Sequence, residues 1–133
     1  MPPVETTVVL TATIPAGLPA NQKVVGELQL DPALGAQTQL QVPQTESWVI
    51  EDLYVSAEQG IDCIVELKKN LRDTIGRTAP INSLLISNPS RPRIKPVMLA
   101  RGDILTVEVQ NLTAGGESDT DITTYLKLVR FVR

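Results

Sequence analysis

Histidine is absent from this chain, cysteine occurs once, and only four residues are aromatic: Trp48, Tyr54, Tyr125 and Phe131. Each shortage removes a class of chemistry. Without histidine there is no Ser-His-Asp or Cys-His catalysis, and no imidazole base working near neutral pH. One cysteine cannot make an internal disulfide, an all-cysteine zinc site or a CxxC redox pair. Cys63 lies in the alternating run Ile61-Asp62-Cys63-Ile64-Val65 and reads as a small buried hydrophobe. No apolar run approaches the ~18 residues of a membrane-spanning helix. The start, Met-Pro-Pro-Val-Glu, has no basic segment of the kind that opens a signal peptide. The expected location is therefore cytoplasmic, or a virion if the protein is viral.

What is present is one domain's worth of chain. The 133 residues are 42% hydrophobic and 20% charged, with a net charge of −3, which suits a single globular domain over 1–133. The dominant period is two. Val4, Val8, Leu10, Ala12 and Ile14 share one face of the first run, with threonine dominating the other, as in a strand with one buried side. The alternation recurs at Val24-Gly26-Leu28-Leu30, at Ile61-Cys63-Val65-Leu67 and at Leu105-Val107-Val109. Further strands are expected at 38–42, 48–56, 81–87, 94–99 and 121–132. Proline and glycine fall between the runs, Gly26 and Pro96 excepted, and both of those suit a bulge or edge. The sum is an all-β antiparallel sandwich, jelly-roll-like, of about eight or nine strands. The segment 66–77 competes as a short helix, since Leu67, Leu71 and Ile75 repeat every four residues; its rival is a strand ending at Lys69 and then a long loop.

Two strands read as buried on both faces. In 121–132, Ile122, Leu126, Leu128 and Val132 oppose Tyr125, Val129 and Phe131. In 48–56, Trp48, Ile50 and Tyr54 oppose Val49, Leu53 and Val55. A two-layer sandwich needs one apolar face per strand. The second is covered either by a long loop or the N-terminal segment, or by a neighbouring subunit.

Charge is segregated. Between Lys68 and Lys95 stand seven basic residues (Lys68, Lys69, Arg72, Arg77, Arg91, Arg93 and Lys95) against Asp73 alone, while the rest of the chain holds five basic and fourteen acidic. A basic stretch with no aromatic to stack on a base does not favour nucleic acid; an acidic surface on a neighbouring copy fits it better. The candidate interface residues are Arg72, Arg77, Arg91, Arg93, Lys95, Tyr125 and Phe131. The stiff loop Ser87-Asn88-Pro89-Ser90-Arg91-Pro92-Arg93 suits docking, or a plain strand connection. The carboxylates of Glu117, Asp119 and Asp121 read as a solvated acidic turn rather than a Ca²⁺ loop. Arg101-Gly102-Asp103 reads as a tight turn, and Asn111 of Asn111-Leu112-Thr113 as a strand end. No catalytic, metal or cofactor residue is singled out.

The chain as a whole, from Thr6 to Phe131, resembles a single jelly-roll structural protein of a virus, a small capsid, vertex or decoration subunit. The run Glu46-Ser47-Trp48-Val49-Ile50-Glu51-Asp52-Leu53-Tyr54-Val55 carries the resemblance, with the turn and long strand of Val97-Met98-Leu99-Ala100-Arg101-Gly102-Asp103-Ile104-Leu105-Thr106-Val107. The resemblance implies two four-stranded sheets, contacts through loops and sheet edges, and trimers or pentamers. A non-enzymatic structural subunit that binds copies of itself, and other structural proteins, is the expectation. The alternative is a carbohydrate- or receptor-binding sandwich acting through its end loops.

Overall fold

The computed structural model describes residues 3–30, 35–54, 62–77 and 97–132. Ten strands run through them: β1 (Val4–Ile14), β2 (Lys23–Val25), β3 (Glu27–Gln29), β4 (Leu40–Gln41), β5 (Glu46–Tyr54), β6 (Cys63–Lys69), β7 (Asp73–Arg77), β8 (Val97–Leu99), β9 (Ile104–Asn111) and β10 (Thr120–Val132). They form two antiparallel sheets. Sheet one has the order β3-β1-β10-β5-β8, and sheet two the order β2-β9-β6-β7 with β4 also on β9. The first and last strands are neighbours, and the chain passes back and forth between the layers. That wrapping is the jelly-roll sandwich the alternation implied.

Period-two sequence sends one residue set to a common interior. Val8, Leu10, Ala12 and Ile14 of β1 meet Ile122, Leu126 and Leu128 of β10. From sheet two, Cys63, Val65 and Leu67 of β6 and Leu105, Val107 and Val109 of β9 point at them. Trp48 is sealed among them, 1% exposed. Each such large side chain contributes about 1.5–3 kcal/mol on leaving water, so this core suffices without covalent ties.

Four expectations need correction. The run from Val24 to Leu30 is two strands, not one. At Gly26 the chain leaves sheet two for sheet one, and a side chain there would meet the Thr11 carbonyl oxygen at 2.8 Å and Val107 Cγ1 at 2.8 Å. Only glycine lets the crossing chain come that close, and its N–H still reaches the Val107 carbonyl at 2.9 Å. The segment 66–77 is neither helix nor loop: β6 does end at Lys69, but β7 turns straight back to pair with it. In β5 the period slips. Lys127 pairs with Asp52 and Leu128 with Ile50, so Glu51 is an extra residue, and the bulge turns Leu53 inward beside Trp48 and Ile50. Finally, the N-terminal segment does not lie across β10; as β1 it lies beside it in the same sheet. The expected strand 81–87, Val55 and Pro96 fall outside the described residues.

Candidate functional site

The two outer faces differ in chemistry. On sheet two, Glu66 and Glu108 are cross-strand partners, an arrangement of like charges that would repel alone. Lys68 lies between them, 3.2 Å from Glu108 Oε2 and 3.8 Å from Glu66 Oε1, and Lys23 reaches Glu108 at 3.9 Å. Thr74 donates to Glu66 Oε1 at 3.0 Å. The ion pairs lace β2, β9 and β6 together, the Thr74 hydrogen bond adds β7, and Val25, paired with Glu108, is an exposed apolar residue on this face.

Sheet one is different. Strand alternation puts Tyr125, Lys127, Val129 and Phe131 of β10 on its outer side, and the register carries the row outward. Val9 pairs with Tyr125, Val129 with Val49, and Val49 with Met98. Val129 is buried without belonging to the central core. Met98 is 66% exposed and Phe131 40%. Across this apolar row runs one ionic bar, Lys127 between Glu5 at 3.6 Å and Glu51 at 3.8 Å. So β10 is apolar on both sides, but the expected burial of both holds on the outer side for Val129 and not for Phe131.

The candidate interface residues do not form one surface. Tyr125 and Phe131 belong to sheet one's outer face; Arg72 and Arg77 are exposed on the β6–β7 hairpin at the edge of sheet two. Arg91, Arg93 and Lys95 lie outside the described residues. Two other cations of the basic stretch are already engaged within the chain: Lys68 as above, and Lys69 with Asp103 at 3.7 Å. The basic stretch is thus not a uniform patch, and neither its sequence nor its charge count indicated which members were taken.

The described loops around Asp103, Asn111 and Asp119 are tied down internally. Arg101-Gly102-Asp103 is a tight turn, with Gly102 at φ 83° and the Asp103 N–H on the Ala100 carbonyl at 3.0 Å. Burial works to raise the Asp103 pKa, but it is outweighed. Hydrogen bonds from Asn70 (3.2 Å) and the Ala100 N–H (2.9 Å), with the Lys69 ammonium, hold the carboxyl below its usual value. Asn111, fully buried at the end of β9, donates to the carbonyls of Pro19 and Thr113 and accepts from the Gln22 N–H. Its amide is fully used, which leaves the sequon closed in the folded chain. Asp119 accepts from the Ala16 N–H at 2.9 Å and Asp121 from Thr13 Oγ1 at 2.8 Å. Among the described residues no three side chains gather as metal ligands, and no helix is long and apolar enough to cross a membrane.

A buried ion pair also escaped the sequence reading. Glu46 is buried, and its Oε1 accepts from Arg130 Nε at 2.6 Å and from Trp48 Nε1 at 3.3 Å. The Arg130 hydrogen bond holds the Glu46 pKa below the ordinary carboxylate value against the opposing effect of burial, with the Trp48 bond and the guanidinium charge adding to it. The three groups close one end of the sandwich.

Comparison with known proteins adds little to this geometry. No family model and no curated protein matches the chain. Among solved structures it is similar to the crystal structure of murine APRIL at pH 8.5, with 16% identity over 96% of this chain and 100% of that one, at a TM-score of 0.43. The architecture therefore rests on the strand pairing itself.

Proposed function

We propose that this chain is a non-enzymatic structural subunit that associates with further copies of itself, as the jelly-roll subunits and decoration proteins of virus particles do, using the outer face of sheet one. The observation that carries the reading is the contrast between the two outer faces. One is laced by ion pairs among Lys23, Lys68, Glu66 and Glu108, with Val25 alone among its large apolar side chains strongly exposed within the described residues. The other carries Val9, Tyr125, Val49, Val129, Phe131 and Met98 with the Glu5–Lys127–Glu51 bar across them. Apolar surface gathered on one side and rimmed by charge is the composition of an association surface. The described end loops at Asp103, Asn111 and Asp119 are spent on internal ties, which favours the structural reading over a ligand-binding one acting through those loops.

A specific contact of this kind buries at least about 1,000 Å² in total, a modest part of the chain's 7520 Å². Sedimentation equilibrium of the wild-type chain and of the double variant Val49→Asp, Phe131→Asp tests it. The wild type should form a defined multimer at micromolar concentration; the double variant should run as a folded monomer. A wild type that remains monomeric up to about 100 μM would refute the reading.

A further inference from the structure

The tip of the β6–β7 hairpin is built against its own backbone preferences. Asn70 and Leu71 both take positive φ, 53° and 63°, and the Arg72 N–H closes on the Lys69 carbonyl at 3.2 Å. A two-residue turn of this hand ordinarily carries Asn-Gly, because glycine alone occupies the second position freely. Asn70 suits its place. Its Oδ1 accepts from the Ile104 N–H at 2.9 Å, its Nδ2 donates to Asp103, and its own N–H reaches the Ile104 carbonyl at 2.8 Å.

Leu71 does not suit its place. A side chain in the left-handed region crowds the following carbonyl, and this one returns nothing to the fold: it is 59% exposed and no part of the core. A strained position filled by an exposed leucine points to a requirement outside the chain's own folding. The tip is also held still, with Asn70 pinned to β9 and Lys69 paired with Asp103, so little freedom is lost when it docks.

We propose that Leu71, with Arg72 beside it, is the anchor by which one copy of this chain grips the outer face of sheet one on a second copy; the proposal rests on the self-association reading above. Charge selects this occupant. Among the described residues the receiving face sets the carboxylates of Glu5 and Glu51 beside Tyr125 and Val49, with Lys127 as the cation between them. Two such faces pressed together would set like charge against like, whereas the hairpin tip brings an apolar knob flanked by a guanidinium. Tip and face belong to different sheets of one subunit, so the contact is head-to-tail. Each copy then gives its tip to one neighbour and its face to another, and the assembly closes as a ring or continues as a filament.

Leu71→Gly separates this role from a structural one. Relief of the left-handed strain should raise the thermal midpoint by about 2–4 °C, while the dissociation constant for self-association should weaken about ten-fold or more. Arg72→Glu should weaken association as well and reduce its dependence on salt. If the wild type associates and Leu71→Gly associates equally well, the anchor is wrong and the self-association reading stands. If Leu71→Gly loses association together with thermal stability, the leucine belongs to the fold and the proposal is overturned. A wild type that never associates overturns both readings.

Discussion

Arg130 Nε lies 2.6 Å from Glu46 Oε1, and the same oxygen also accepts from the indole of Trp48. Because the folded-state pKa of Glu46 is depressed below 4.5, the stabilisation it contributes is fully present above that value and is lost as pH falls through the folded pKa. Acid titration followed by the fluorescence of Trp48, the only tryptophan, should show this loss below about pH 4.5. Glu46→Gln should cost about 1–3 kcal/mol at neutral pH and flatten the acid limb. An acid limb unchanged in Glu46→Gln would show that other carboxylates dominate.

Thr124 is fully buried on the inner side of β10 opposite Leu10, and its hydroxyl has no hydrogen-bond partner among the described residues. An unpaired hydroxyl in an apolar interior costs free energy that a methyl of similar shape does not. Thr124→Val should therefore raise stability by about 1 kcal/mol, measured as a higher urea midpoint at unchanged slope.

Gly26→Ala should destabilise the fold by about 1–3 kcal/mol, since the new methyl would overlap the Thr11 carbonyl and Val107. Neither neighbour can step aside: one is backbone of a central strand and the other a core side chain. A chemical denaturation curve equal to that of the wild type would show that β2 and β3 can separate.

Cys63 is buried, and burial first, then the charge of Asp62, pushes its thiol pKa up to about 12. Thiolate is the reactive form. Alkylation of the native chain at pH 8 should be slower than that of the unfolded chain by about 100-fold or more. Fast labelling without denaturant would mean that β6 opens readily.

The strands whose burial is decided by local alternation were legible in the sequence. β1 follows its period from Val8 to Ile14, with Val4 exposed at its start, and β9 follows it except at the buried Thr106. The two residue sets of β10 were read from 121–132, though the outer one is only partly buried. What escaped was set by partners distant in the chain. Glu51 became a bulge because β10 fixes the register of β5, so Leu53 changed face with no mark in its own neighbourhood. The spacing of Leu67, Leu71 and Ile75 imitated a helix because three unrelated environments happened to fall four residues apart: core, turn tip and edge strand. Of the candidate site, the apolar side of β10 was visible in advance through Tyr125 and Phe131. The neutralisation of Lys68 and Lys69 was not, since Glu108 reaches the first from β9 and Asp103 the second from the turn that precedes β9.

Eleven consecutive residues of β1 pair with β10, which makes the centre of sheet one a joint between segments more than a hundred positions apart. Such distant pairing is slow to close, and a growing chain cannot finish sheet one until its last described strand has emerged from the ribosome. The proposed contact side lies largely on that strand. Partly made chains accordingly have no complete sticking surface to offer, so the order of synthesis itself delays assembly until β10 has been made.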